Sequence, residues 1–142
     1  DSADAGRAAD RWGDEILLAG FYRALIDRLD SAYAGAHDTS AVAAAREALN
    51  AWATSELRDT LGPRLRTYRF ASDFAYHVNN ARLVGATIYR SHLDWFDRWY
   101  HASGDDIGRT VAGLDSLVRG APADSAFARL GTATGELPAA TR

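Results

Sequence analysis

A chain of 142 residues that is 47% hydrophobic is sized for one globular core, and a formal net charge of -3 gives no basic footprint for nucleic acid. It has no Cys, which excludes disulfides, Cys-ligated zinc and thiol catalysis, and all 16 of its basic residues are Arg. It has no Met, so the natural start is expected to have been removed; residues 1–13, opening DSADAGRAAD, read as a flexible segment like a mature exported terminus.

The first predicted helix runs from Asp14 to Ala34. Leu18, Phe21, Tyr22, Leu25, Ile26, Leu29 and Tyr33 recur at helical spacing, Asp14 and Glu15 suit the first turn, and Gly35 suits the end. AHDTS is a turn. Ser40 is placed to cap a second helix, Ala41 to Leu61, which Gly62 and Pro63 stop. The short connection predicts an antiparallel hairpin. Residues 63–78, PRLRTYRFASDFAYHV, alternate partly between aromatic and polar and read as an aromatic-anchored loop or short helix. The third helix is expected over Asn80 to Ala102, with Leu83, Val84, Ile88, Trp95 and Phe96 as a stripe facing the hairpin. SGDD breaks it, and Asp105 or Asp106 caps a fourth helix reaching Val118, with Ile107, Val111, Leu114, Leu117 and Val118 inward. ADSAFARL adds a turn or two, and 131–142 form a flexible tail. The expectation is an all-α protein: four main helices in one bundle-like domain over 14–130, with a short extra C-terminal turn. No segment approaches the ~18 apolar residues of a membrane span.

The candidate chemistry is sparse. His37, His77, His92 and His101 form no HExxH and no i,i+4 pair, so no local zinc pair or haem ligand set is expected, and no cofactor is assigned. No GxSxG elbow and no Gly-rich phosphate loop occur. Asp94 and Asp97 lie near Arg90 and Arg98, as helix-surface ion pairs would. Asn79 and Asn80 open the third helix. The first reads as an N-cap; alternatively, the two amides line a cleft and bind a peptide backbone.

The segment VNNARLVGATIYRSHLDWFDRWYHASGDDIGRTVAGLDSLV resembles the C-terminal region of the bacterial predicted aminopeptidases, zinc metallopeptidases of the HExxH type. The resemblance rests on Asn-Asn-Ala-x-Leu (79–83), Tyr89 shortly after, an aromatic helix, and the turn of Gly104, Asp106 and Ile107. It extends over residues 14 to about 130 when the helical hairpin is included. It implies that the zinc helix and a further Glu ligand lie before this region, so no catalytic or metal residue carries over.

Two functions follow. The first is a non-catalytic helical scaffold or extrinsic subunit, held against a larger assembly, periplasmic or otherwise exported. Its expected partner is a protein of that larger complex, with membrane-embedded assemblies, photosynthetic reaction-centre complexes among them, as candidates. Trp12, Trp99 and Tyr100 are the expected partner-binding anchors. The alternative is the C-terminal domain of a zinc aminopeptidase whose catalytic part is absent from these residues.

Overall fold

The computed structural model describes residues 2–122 and 125–135. Among the described residues the fold is all-α, with six α-helices: α1 (Ser2–Ala34), α2 (Thr39–Ser55), α3 (Asn80–Arg90), α4 (Leu93–Ala102), α5 (Ile107–Val118) and α6 (Ala126–Ala133). The chain forms two compact units, Asp1–Ser91 and His92–Arg142.

In the first unit α1 begins well before the expected Asp14, and residues 2–13 are helical. Alanine-rich sequence favours the helix, and the Asp4–Arg7 and Arg11–Glu15 pairs at i,i+3 and i,i+4 support it. Asp38, not Ser40, caps α2: its carboxylate accepts from Ala41 N–H at 2.8 Å and from the Ser40 hydroxyl at 2.9 Å. Past Ser55 the helix widens into a π turn (Glu56–Leu61) and then tightens into a 3-10 turn (Gly62–Arg64). Phe21 stacks on Trp52 with centroids 5.6 Å apart, and Tyr33 meets Arg46, so α1 and α2 run antiparallel as the sequence suggests. α3 returns along α1, with its start near Tyr33 through Arg46 and its end at Glu15. Leu18, Phe21, Leu25, Leu49, Leu57 and Leu83 are among the buried residues of this core.

The expected long third helix is broken. Ser91 is extended and His92 is left-handed (φ 58), so α3 stops at Arg90 and α4 starts at Leu93. No Gly or Pro marks this break, which is why periodicity runs through it. The break also splits the expected apolar stripe. Leu83 is buried, but Val84 and Ile88 are 59% and 68% exposed, and Trp95 and Phe96 belong to the second unit.

In the second unit Trp95 is buried and stacks on His92 at 3.7 Å, while Phe127 of α6 meets Phe96 edge-on at 6.2 Å. Asp106 is the cap of α5, accepting from Arg109 N–H at 2.9 Å, and Asp105 takes a left-handed turn conformation beside Gly104 (φ 74). Ile107 and Val111 face solvent, against expectation; the inward side of α5 is Thr110, Gly113 and Leu114, with Leu117 and Val118 half-buried. The cause is Trp99, whose ring lies over Gly113, where a Cβ would come within 3.0 Å of it. The expected extra turn is α6, and it includes residues 131–133 of the expected tail; 123–124 and 136–142 lie outside the described residues.

Candidate functional site

Residues 74–79 run as an extended segment against α2. Tyr76 and Val78 are buried while Ala75, His77 and Asn79 are exposed, the period of two that a strand imposes. On α2, Arg46, Asn50 and Thr54 recur every fourth residue and share one face. Thr54 Oγ1 accepts the Tyr76 N–H at 2.9 Å, Asn50 Oδ1 accepts the Val78 N–H at 2.7 Å, and Arg46 donates to the Val78 carbonyl at 2.8 Å. The match is metric: four helical residues rise about 6 Å, and two strand residues about 6.6 Å. The segment therefore lies antiparallel to α2, held by a ladder of side chains. Arg46 closes the ladder by donating to the Tyr33 hydroxyl at 2.8 Å and to Asn80 Oδ1 at 3.4 Å.

A second polar device fixes the chain just upstream. Asp14 is 2% exposed and lies within α1, well past its first turn. Its carboxylate accepts from Arg66 N–H (2.9 Å), Thr67 N–H (2.6 Å) and the Thr67 hydroxyl (2.7 Å). Burial alone would push this carboxyl up, but the bonds from Thr67 and the backbone of Arg66 outweigh it and hold the group below the ordinary range. Glu15 accepts from the Tyr68 hydroxyl at 2.7 Å and from Arg90 at 2.8 Å; burial again opposes, yet these partners depress its carboxyl. Arg66 adds an ion pair to Asp10 at 2.5 Å. Thus α1 grips the 62–68 turn, α2 grips 76–78, and α3 is tied back through Arg90. Between these grips Phe70 and Phe74 pack together, centroids 4.7 Å apart, and bury against the core. Burial, with Tyr22 beside it, pushes the Tyr76 phenol up to about 12.

The residues singled out from sequence fall as follows. Asn79 caps α3, accepting from Arg82 N–H at 3.2 Å, and Asn80 meets Arg46, so the two amides do not jointly line a cleft. Arg90 pairs with Glu15, and Asp94 meets Arg98 at 3.2 Å. Trp12 is 39% exposed on α1. Trp99 and Tyr100 are half-buried in the second unit: Trp99 donates to the Thr110 carbonyl at 3.2 Å and Tyr100 to the Asp105 carbonyl at 2.7 Å. Sequence reasoning missed Arg46, Asn50 and Thr54. Their signal was a polar i, i+4, i+8 row on a helix otherwise rich in Ala.

A pocket of about 320 Å³ follows the extended segment, lined by residues 74–79 and Arg82. Fold and site together define a class: a small helical protein that presents a clamped, extended stretch of backbone beside a pocket. The family is narrower than that class. The model of the family described as Putative aminopeptidase matches residues 1–128, and the chain belongs to that family. No curated protein and no solved structure matches.

The zinc that the sequence resemblance implies needs three protein donors converging on one point. Among the described residues no group of three or more His, Asp or Glu could hold a metal ion. His92 is stacked on Trp95, and His101 is engaged by Asp105 at 2.5 Å and Asp97 at 3.6 Å on an exposed helix end. The described residues do not fit a zinc centre, and no catalytic step is assigned to them.

Proposed function

We propose that this chain is the helical, metal-free part of a zinc aminopeptidase, whose HExxH ligands are supplied by sequence outside these residues. The family match over residues 1–128 carries this reading. The clamped segment supports it. A peptidase needs a rigid wall beside the scissile bond, because positioning supplies much of its rate and loose walls forfeit it. The Asp14 grip on 66–67 and the α2 grip on 76–78 fix the chain at both ends of the loop between them and give such rigidity. The test is the reading frame upstream of Asp1 and the product it encodes. Stoichiometric zinc and chelator-sensitive hydrolysis of aminoacyl anilides in the longer protein are expected. A native protein that begins near Asp1 after a short leader, with no zinc and no such activity, overturns the proposal.

A second reading has one observation of its own. Val84, Ile88 and Tyr89 of α3 are 59%, 68% and 79% exposed, and Trp12 is exposed in the same unit. Apolar side chains grouped this way suit contact with a protein partner, as an extrinsic subunit outside the cytoplasm would need. Neither the fold nor the family favours a reaction-centre assembly as that partner.

A further inference from the structure

In an extended chain, successive residues point their N–H and C=O groups to opposite edges. Tyr76 and Val78 direct theirs at α2, where Thr54 accepts the Tyr76 N–H, Asn50 accepts the Val78 N–H and Arg46 donates to the Val78 carbonyl. Ala75 and His77 therefore present theirs to the opposite edge, where they have no hydrogen-bond partner among the described residues. Both residues are exposed, and the pocket of about 320 Å³ along the segment contains no residue of α2. At its far end Arg82 is exposed and has no acidic partner among the described residues.

We infer that residues 75–77 bind an extended peptide by backbone pairing, as an added strand, with Arg82 meeting a carboxylate on that peptide. Main-chain pairing supplies affinity with little demand on side chains, so many sequences are accepted. Charge selects the carboxylate: Arg82 attracts it, and the ammonium of a basic peptide is repelled. Identification of the peptide as a substrate rests on the zinc-aminopeptidase reading; the pairing itself does not.

The test uses the full 142-residue chain, without added metal, and the probe acetyl-Thr-Val-Thr-Val-Asp-amide. Backbone amide NMR should show saturable shifts at Ala75 and His77, with Tyr76 and Val78 retaining their bonds to α2. N-methylation of alternate probe nitrogens should weaken binding about five- to tenfold, the worth of a lost hydrogen bond. Replacing the probe's Asp by Asn should weaken it about two- to fivefold, as for an exposed ion pair. His77→Pro deletes one outward donor and leaves the α2-facing bonds in place, so it should match the N-methyl effect at an unchanged melting midpoint. If that variant unfolds, the N-methylated probes still decide. Equal binding of parent and N-methylated probes, or no saturable shift at millimolar probe, overturns the inference. Protection of the Ala75 and His77 amides by self-association, without probe, assigns the edge to a second copy and also overturns it. Failure here leaves the zinc reading intact, since that is tested on the longer protein, and the reverse holds equally.

Discussion

Asp14→Ala is the most informative perturbation of the fold. The substitution removes the acceptor for two backbone N–H groups and one hydroxyl, at 2.6–2.9 Å, from a position 2% exposed. A hydrogen bond to a charged group contributes about 1.5–3 kcal/mol, but the exposed Arg66 and Thr67 backbone can swing out to water and recover part of that. The net loss should be about 2–4 kcal/mol. Asp14→Asn should cost nearly as much, because its amide nitrogen turns a donor toward donors. The pH dependence has a definite sign. A depressed carboxyl adds stability that is fully present above the unfolded pKa of about 3.9 and is lost as pH falls through the lower folded value. Urea unfolding of wild type and Asp14→Asn at pH 7, and stepwise down to about pH 3, should show a gap that narrows only in acid. Comparing the two proteins cancels the parallel contribution of Glu15. A gap that is absent at pH 7, or that stays constant into acid, would refute the claim that this charge holds the 62–68 turn.

Glu15→Gln should cost about 1–2 kcal/mol, since the Tyr68 contact becomes a neutral hydrogen bond and the Arg90 contact loses its ion-pair partner charge, and urea midpoints at pH 7 measure it. Asn79→Ala should lower stability by about 1 kcal/mol through loss of the α3 cap, visible as faster amide exchange at Arg82. Trp95→Ala should destabilise the second unit by about 3–5 kcal/mol, and Trp99→Ala by less, because Trp95 is 7% exposed and Trp99 only half-buried. Near-UV circular dichroism during thermal unfolding separates the two; equal losses would mean that half-burial spares Trp99 nothing.

The all-α class and the antiparallel hairpin were legible because Leu18, Phe21, Leu25 and Leu29 repeat at a helical period and bury accordingly. The cap at Asn79 was legible for the same local reason. The break at His92 was not, because nothing in SHLD resembles a stop signal and the left-handed turn is fixed by packing around Trp95. Asp14 and Glu15 looked like first-turn acids only because apolar periodicity starts near them. Their partners lie more than fifty residues away in Arg66, Thr67 and Tyr68, a separation that no local pattern encodes. The extended segment was half legible: alternation in 74–78 is visible, but the Arg46, Asn50 and Thr54 row that holds it becomes meaningful only once the two are side by side.

An open strand edge is not by itself a sign of function, since water satisfies exposed backbone groups at little cost. Length and support make this one different. A long bare edge invites other chains to pair and aggregate, so proteins keep such edges short or covered. Here the edge is bounded on one side by the turn that closes with Phe74 N–H on the Ala71 carbonyl at 3.0 Å, and on the other by the α3 cap at Asn79. It is too short to seed a sheet and long enough to pair with a few residues of one peptide. Its inner edge is held by side chains from a helix instead of a neighbouring strand. A strand partner would bring a second edge and a growing sheet; a helix brings neither. The ladder on α2 thus satisfies both inward N–H groups and the Val78 carbonyl, while leaving a single outward edge of fixed length. Loosening that ladder, as Asn50→Ala would by orphaning the Val78 N–H, should weaken peptide binding even though Asn50 lies on the far side of the segment from the peptide.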